Sequence, residues 1–169
     1  ILGYDITEGR DVVIPSTIDG VEVTAIGDRA FQSLGIDSVV IPNTVTTIGE
    51  RAFIGNYLED VTIPNSVRSV GTYAFSSNRL KTVQLSTRLT IIDNYTFSNN
   101  QITDIELHEG LTSIEDKAFS GNQFTEIEFP RSMTKIDYYA FENNRISSIT
   151  FNDGVTRINA YAFQNNNLQ

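Results

Sequence analysis

The sequence contains no cysteine and no tryptophan, and it has one histidine and four prolines. Without cysteine the chain cannot form disulfides or thiolate metal sites. No run of about 18 apolar residues is present, so no segment is predicted to insert into a membrane. Lys and Arg number 12 against 21 Asp and Glu, a net charge of −9. Because phosphate backbones are bound mainly by Lys and Arg, this balance disfavours a nucleic-acid partner.

Few residues are available for chemistry. The single histidine, His108, follows a predicted strand and stands beside Glu109, where a solvated loop residue is a better interpretation than a general base. With no cysteine and no second histidine, nucleophilic dyads built on these residues are largely excluded. No glycine-rich phosphate loop or EF-hand spacing occurs. We therefore predict no enzymatic activity, no cofactor and no metal site.

The sequence does contain a strict repeat, most visible in its phenylalanines. Each falls 22 residues after the last: Phe31, Phe53, Phe75, Phe97, Phe119, Phe141 and Phe163. Further apolar or small columns keep the same period, including the Ala that precedes Phe in all coils but one, where Thr96 stands. Several such columns that share one period of this length predict a solenoid, in which each coil buries the apolar face of its neighbours.

Local patterns predict the path of one coil. In ITDIEL, residues 102–107, inward Ile105 and Leu107 alternate with polar residues, which predicts one strand of a parallel sheet. Residues 46–48 predict a second short strand. The Ala-Phe stretch predicts a helical or 3₁₀ turn, and the column of Gly27, Gly49 and Gly71 suits a left-handed turn. The fold class is thus α/β or mainly β. A competing register places the strand at residues 92–102 instead.

One polar column is predicted to point inward. It contains Asn56, Asn78, Asn100, Asn122, Asn144 and Asn166. An inward Asn can satisfy backbone groups that a coil corner leaves unpaired. We therefore predict a structural asparagine ladder.

The two ends of the pattern differ from its middle. VVIP at residues 12–15 resembles VVIP at 39–42. Val23, the next column position, comes five residues later than the period would place it, and the extra residues include Asp19-Gly20, a two-residue hairpin signal. We assign residues 1–22 to an N-terminal cap and residues 23–169 to seven repeats. The seventh stops after Leu168, before its strand, which favours a piece of a longer protein.

The repeat resembles a known family. IPNTVTTIGERAF (41–53) and IPNSVRSVGTYAF (63–75) are similar to the core of BspA-like leucine-rich repeats, although Ser86, His108 and Asn152 replace the proline of this motif in other coils. The resemblance implies a secreted or cell-surface bacterial protein and a role in adhesion. We predict a right-handed leucine-rich-repeat superhelix with a parallel sheet of short strands in 22-residue coils.

Two surface stripes are candidates for partner binding. Acidic residues on the outward sheet positions form the first: Glu59, Asp60, Asp104, Glu106, Glu126 and Glu128. They suit a basic partner or a weak calcium site, or are simply a solvated face that opposes aggregation. The second stripe contains Tyr73, Tyr95, Tyr139 and Tyr161, in a column shared with Arg29, Arg51 and Lys117. Tyr and Arg are enriched in interfaces, but stacked tyrosines also support one another.

These observations favour a non-enzymatic module that presents a repeat surface to a protein or glycan in the extracellular space or at the cell surface. The alternative is a structural spacer that holds other domains of a larger surface protein. The sequence leaves the oligomeric state open.

Overall fold

The computed structural model of the chain describes residues 9–169, which wind into a solenoid of parallel strands with 22 residues per coil. We number the coils by their phenylalanines, from Phe31 in coil 1 to Phe163 in coil 7. Residues 9–169 contain no helix. The predicted solenoid is confirmed, and of the two fold classes left open, the mainly β one is found.

The first wall of the solenoid, here the strand wall, carries the predicted strands. They are β1 (Asp11–Val13), β5 (Ser38–Val40), β7 (Asp60–Thr62), β9 (Thr82–Gln84), β12 (Glu126–Phe129) and β14 (Ser148–Phe151). The central valine or isoleucine faces the core and its neighbours face solvent, because side chains alternate along a strand. The preferred register is therefore confirmed. Pairing is parallel but interrupted, in the pairs β1–β5, β7–β9 and β12–β14.

Coil 4 corrects one prediction, because residues 103–108 form no strand. Ile105 and Leu107 are buried there and Asp104 and Glu106 are exposed, so the alternation is as expected, but no ladder forms to either neighbouring coil. A 22-residue step places Asp104 opposite Glu126 and Glu106 opposite Glu128. Like charges directly opposite each other destabilise a strand pair, which accounts for the break toward coil 5 but not for the break toward coil 3, where the opposite residues are Thr82 and Gln84. The strand predicted in every coil is therefore wrong at this one.

The second wall confirms the other predicted strand. It contains β4 (Ala25–Ile26), β6 (Thr47–Ile48), β8 (Ser69–Val70), β10 (Ile91–Ile92), β11 (Ser113–Ile114), β13 (Lys135–Ile136) and β15 (Arg157–Ile158). These pair in parallel as β4-β6-β8 and β10-β11-β13-β15, with equivalent residues opposite each other.

The third wall, here the turn wall, consists of residues 28–34 and their equivalents. The predicted helical or 3₁₀ turn is wrong: in every coil the backbone has positive φ two residues before the phenylalanine, as at Arg29 (56°), and again two residues after it, as at Ser33 (54°). This geometry turns alternate N–H groups toward the following coil. Arg29, Phe31 and Ser33 donate to Glu50, Ala52 and Ile54 at 2.8–2.9 Å.

These bonds join into continuous files along the solenoid axis. The oxygen of Ala52 and the N–H of Phe53 belong to one peptide group, and Phe53 donates in turn to Ala74. Six such bonds of 2.8–2.9 Å connect Phe31 to the Ala162–Phe163 peptide, and a second file connects Ser33 to the Gln164–Asn165 peptide. Every N–H in these files points toward coil 7, so the peptide dipoles add as they do in a helix.

The glycine column has a different cause from the one predicted. Positive φ falls two residues later, at Arg51 and Tyr73, and neither Gly49 nor Gly71 has it. A Cβ at Gly49 would lie 2.6 Å from the Asp28 nitrogen, and one at Gly71 would lie 2.8 Å from the Glu50 nitrogen. Glycine therefore permits a close approach between the backbones of coils 1, 2 and 3.

The core is a single file of phenylalanine rings. Consecutive rings from Phe31 to Phe163 stack with centroids 5.0–5.7 Å apart and planes within 17° of parallel. Phe124 and Phe129 meet Phe141 edge-on. Both arrangements are favourable for aromatic quadrupoles. The predicted stacking of like side chains is confirmed.

The asparagine column binds neighbouring coils together. Asn122 donates from Nδ2 to the carbonyls of Phe97 and Phe119 at 2.9 and 3.1 Å, and its Oδ1 accepts the N–H of Ile102 at 3.1 Å. Asn56, Asn78, Asn100, Asn144 and Asn166 make equivalent bonds. Since these groups lie at buried corners, the amides satisfy backbone atoms that water cannot reach. The predicted structural ladder is confirmed.

The N-terminal hairpin is also present. β2 (Thr17–Ile18) pairs antiparallel with β3 (Val21–Glu22), and Asp19 and Gly20 have φ of 51° and 79°. Positive φ at both central residues is typical of a type I′ turn. Val12 pairs with Val39 in the strand wall, so the insertion lies outside the repeat register. Residues 1–8 of the predicted cap lie outside the described residues.

Truncation of a core ring tests this packing. Phe119→Ala is expected to lower the free energy of unfolding by roughly 3–5 kcal/mol, as a fully buried Phe would. Phe163→Ala is the matched control, because Phe163 is only partly buried. Urea denaturation followed by circular dichroism measures both, and an equal loss at the two sites would contradict the ring file.

The left-handed backbone of the turn wall has its own test. Ser77 is exposed and has φ of 56°, and its column holds glycine in coils 2 and 5. Ser77→Val is expected to cost about 1–2 kcal/mol because a β-branched side chain is strained there, whereas Ser77→Gly should be tolerated. Thermal denaturation compares the variants. Equal melting temperatures for Val and Gly would refute the assigned backbone.

Candidate interaction surface

The strand wall carries a groove at coils 4 to 6. It has a volume of about 450 Å³ and is bordered by four of the predicted acidic residues, Asp104, Glu106, Glu126 and Glu128. Ile105, Leu107 and Ile127 also contribute to the lining, together with Ser148, Thr150 and Asn152. Stacking of the coils thus brings together carboxylates that are a full coil apart in sequence.

Most of these carboxylates have no cationic partner. Within residues 9–169, no Lys or Arg forms an ion pair with Asp104, Glu106, Glu126 or Glu128. Glu128 receives only a long hydrogen bond from Asn152 Nδ2, at 3.5 Å. Such a set of like charges repels itself, and a cationic ligand would relieve that repulsion. The electrostatic potential of the groove therefore favours a cationic ligand.

Glu109 borders the same groove but has a structural role. Its carboxylate accepts the backbone N–H groups of Arg131 at 3.1 Å and Ser132 at 3.3 Å, which joins coil 4 to coil 5. The sequence prediction did not include Glu109, Ser148, Thr150 or Asn152. Their membership follows only from the 22-residue register, which places them beside the acidic columns.

The groove also exposes polar backbone. Hydrogen bonds join Gln101 to Leu80 and Gln123 to Ile102, both at 2.9 Å, but none joins residues 103–107 to a neighbouring coil. Peptide groups that lack a protein partner must be satisfied by water or by a ligand. Coils 3 and 5 flank this stretch on either side, so it is not a free sheet edge.

Glu59 and Asp60 lie apart from the other four acidic residues. Glu59 forms an ion pair with Lys81 at 2.8 Å, and this hydrogen bond holds the pKa of Glu59 below its ordinary value. Asp60 borders a separate groove of about 840 Å³ with Val40, Thr62 and Gln84. The six predicted residues are therefore divided between two places on the strand wall.

The tyrosine column forms a ladder on the turn wall. Tyr73 stacks on Tyr95 with centroids 4.4 Å apart, and Tyr139 stacks on Tyr161 at 5.1 Å. Lys117 lies between these pairs, with Nζ 5.7 Å from the centroid of Tyr95 and 4.9 Å from that of Tyr139. Each cation–π contact is favourable, so Lys117 stabilises the tyrosine pair on either side of it.

The ladder begins with a cation as well. The Arg51 guanidinium lies 5.1 Å from the centroid of Tyr73, so the order is cation, two rings, cation, two rings. Burial, followed by the influence of Tyr95, raises the pKa of Tyr73. Because most ring faces are occupied by neighbours in the ladder, the geometry favours the alternative of mutual structural support for Tyr73, Tyr95 and Tyr139.

His108 lies at the gap between coils 3 and 4, where a smaller groove is bordered by Gln84 and Glu106. Its Nε2 is buried and makes no hydrogen bond. Residues 9–169 contain no group of three or more His, Asp or Glu side chains that could hold a metal ion. The calcium alternative therefore has no geometric support in the described residues.

An ionic cluster on the second wall was not predicted. Lys135 Nζ lies 2.6 Å from Glu115 Oε2 and 2.7 Å from Asp137 Oδ2, and Asn159 donates to Asp137 Oδ1 at 2.5 Å. Although partial burial alone would raise it, these hydrogen bonds hold the pKa of Asp137 below its ordinary value. The same bonds raise the pKa of Lys135. The cluster connects coils 5, 6 and 7.

Comparison with protein-family models identifies the repeat. The model described as the BspA type leucine-rich repeat region matches residues 24–130 and 90–169, with six copies. This chain belongs to that family. A search among curated proteins finds none that matches the chain.

Solved structures of bacterial proteins have a similar fold. A leucine-rich cell surface protein of Faecalibacterium prausnitzii A2-165 is 26% identical, with a TM-score of 0.61 over 83% of this chain and 48% of its own. A leucine-rich repeat protein of Eubacterium ventriosum is 19% identical, with a TM-score of 0.67 over 93% of this chain and 46% of its own. This BspA-type chain thus spans less than half the length of either. Among residues 9–169 no helix could cross a bilayer.

The ionic cluster predicts a dependence of stability on pH. Since the pKa of Asp137 is lowered on folding, its contribution is present above the ordinary value of 3.8 and is lost as the pH falls below it. Asp137→Asn should lower the melting temperature at neutral pH and have less effect in acid. Calorimetry at a series of pH values measures this difference.

Asp116 supplies the opposite control. Burial raises the pKa of Asp116, and its Oδ1 is buried without a hydrogen bond. A raised pKa means that the ionised carboxylate destabilises the fold. Asp116→Asn should therefore raise the melting temperature at neutral pH. The ionic assignment fails if both variants shift the melting temperature in the same direction.

Proposed function

We propose that this BspA-type chain is a non-enzymatic interaction module of a secreted or cell-surface bacterial protein, and that it binds a protein partner through its strand wall. The contact is centred on the groove bordered by Asp104, Glu106, Glu126 and Glu128. Membership of the BspA-type family and the printed description of the F. prausnitzii relative as a cell surface protein support this assignment.

The observation that carries the proposal is the set of unpaired charges in one groove. Asp104, Glu106 and Glu126 have no ion pair among residues 9–169. A segment with basic side chains would place its cations against these carboxylates. A neutral glycan offers no cation, so a protein is the favoured partner.

A spacer is the second candidate. The continuous peptide files and the phenylalanine stack make the coils a firmly connected rod, which suits a chain that separates other domains. Under this function the acidic groove is a solvated face. Substitutions in the groove should reduce partner binding if the chain is an interaction module. They should change only the net charge if it is a spacer.

Charge reversal separates them. In a triple variant, Asp104, Glu106 and Glu126 are replaced by Lys, and binding to an immobilised lysine-rich peptide, a neutral peptide of equal length and a glycan array is compared with that of the parent chain. Loss of at least about tenfold in affinity for the lysine-rich peptide is expected, because exposed charge pairs contribute several tenths of a kcal/mol each. The melting temperature should not fall, since all three side chains are exposed.

The matched control replaces three exposed acidic residues elsewhere, Glu22, Asp37 and Asp153, by Lys. It changes the net charge equally, so the position of the charge is the only difference. Unchanged binding in this control is expected. If both variants bind like the parent chain, or if the parent chain binds the lysine-rich peptide no more tightly than the neutral one, the groove is not a docking site for a basic partner and the spacer is favoured.

A further inference from the structure

Tyr73 and Tyr95 form the closest ring pair in the part of the chain that the structure describes. Their centroids are 4.4 Å apart and their planes are within 16° of parallel, whereas the stacked phenylalanines of the core are 5.0–5.7 Å apart. At this separation carbon atoms of the two rings are in van der Waals contact. The 22-residue register thus holds two phenols face to face, one from coil 3 and one from coil 4.

Both rings can be reached by a reagent in solution. Tyr73 and Tyr95 are only partly buried on the turn wall, whereas Phe75 and Phe97, two residues further along, are fully buried. Burial, followed by the influence of Tyr95, raises the pKa of Tyr73, so its hydroxyl keeps its proton at neutral pH. Oxidation of this phenol therefore releases a proton together with an electron.

The cations of the ladder limit which tyrosine rings can meet. Arg51 lies over Tyr73, and Lys117 lies between Tyr95 and Tyr139, at 5.7 and 4.9 Å from their centroids. Tyr95 and Tyr139 are therefore kept apart by a lysine. Tyr73 has Tyr95 as its one stacked tyrosine neighbour within residues 9–169, and the reverse also holds.

Two other tyrosines are well exposed but have no such neighbour. Tyr57 is 40% exposed and Tyr138 is 50% exposed. The Arg79 guanidinium lies 4.3 Å from the centroid of Tyr57, and in the described residues neither ring stacks on another tyrosine. An experiment can therefore separate the effect of exposure from the effect of pairing.

Paired phenols can be joined by one-electron oxidation. Removal of one electron and one proton from each phenol gives two phenoxyl radicals, whose unpaired electrons are shared with the Cε ring carbons. A bond then forms between a Cε atom of Tyr73 and one of Tyr95, and the hydrogens of these carbons move to the phenolic oxygens. In sum, one C–C bond replaces two C–H bonds, and the two electrons and two protons reduce one hydrogen peroxide to two water molecules. Fixed proximity favours this coupling over an encounter between two chains.

Such a bond joins the two coils where the strand wall has no ladder. β9 pairs only with β7, and residues 103–108 of coil 4 form no strand. On the turn wall the N–H of Tyr73 donates to Asn94 at 3.1 Å, so the two coils are already aligned there. A link from Tyr73 to Tyr95 closes a loop of 22 residues, which restricts the unfolded chain and so stabilises the folded one.

We propose that Tyr73 and Tyr95 are a modification site, at which a one-electron oxidant, a peroxidase supplied with hydrogen peroxide, couples the two rings to dityrosine and stabilises the junction of coils 3 and 4. Tyr139 and Tyr161, with centroids 5.1 Å apart, form a second and less reactive pair of the same kind. The site lies on the turn wall and does not depend on the acidic groove or on the function proposed for it.

The test uses the chain with Tyr161→Phe, which keeps the ring but removes a phenol of the second pair. The chain is treated in dilute solution with a peroxidase and hydrogen peroxide, digested with trypsin and analysed by mass spectrometry. Trypsin places Tyr73 and Tyr95 in different peptides, residues 69–79 and 89–117. These two peptides should be found joined with the loss of two hydrogens, in a yield per chain that does not change on further dilution. The melting temperature of the oxidised monomer should rise by roughly 5–10 °C.

Two further substitutions in this chain give the matched control. Tyr73→Phe keeps the stacked ring but has no phenol to oxidise, so the joined peptides and the rise in melting temperature should both be lost. Tyr138→Phe removes a more exposed but unpaired phenol, and both should be retained. The proposal is overturned if the joined peptides do not form, if their yield falls on dilution, if Tyr57 or Tyr138 is linked as often as Tyr73, or if the linked chain melts at the same temperature as the unlinked one.

Discussion

The structure depends on one interaction: a backbone N–H donates to a carbonyl oxygen one coil further along. In the turn wall this bond recurs at equivalent positions, so each coil fixes the height and rotation of the next. The phenylalanine file and the asparagine column then follow, because rings and amides at the same position are brought face to face. The constant repeat period thus follows from the backbone geometry, and the repeated side-chain columns are a consequence of that period.

This arrangement separates the residues that hold the fold from those that can vary. Inward positions meet their own equivalents and stay apolar or amide, whereas the outward positions of the strand wall meet solvent. The carboxylates of the acidic groove stand at outward positions only, and all four are exposed to solvent. Loss of the strand ladder at residues 103–107 costs little there, because the asparagine column and the turn wall continue through coil 4.

The sequence was sufficient to predict those elements in which a residue contacts its own equivalent in the next coil. Both strand walls, the ring file, the asparagine ladder and the Asp19-Gly20 hairpin were predicted, since each depends on residue type at a fixed spacing. The turn wall was not, because Ala and polar residues suit a helical turn as well as a left-handed one, and Arg29, Tyr73 or Lys117 gives no sign of positive φ. The failure at ITDIEL has another cause: its alternation is that of a strand, but pairing also depends on the residues of the coils beside it, and toward coil 5 these are like charges.

For the candidate site, the columns placed all six carboxylates on one sheet face, but they showed neither that Glu59 and Asp60 lie apart from the other four nor which carboxylates are already neutralised. Glu59 belongs to the same stripe as Asp104, yet Lys81 reaches it from the next coil. A side chain as long as lysine can reach several columns, so its partner is not fixed by spacing. The sequence shows the tyrosines and cations as one column. Only the stacking of the rings in the structure shows that cations alternate with tyrosine pairs.

The direction of the turn-wall bonds also determines how the molecule responds to mechanical load. They run along the solenoid axis, so a pull on the two ends strains them in succession, one coil at a time, instead of shearing a whole sheet at once. Each released coil would lengthen the chain by roughly 70 Å, since about 3.4 Å per extended residue gives about 75 Å, less the ~5 Å that the coil spanned along the axis. Under tension the protein is therefore an extensible element that yields in uniform steps.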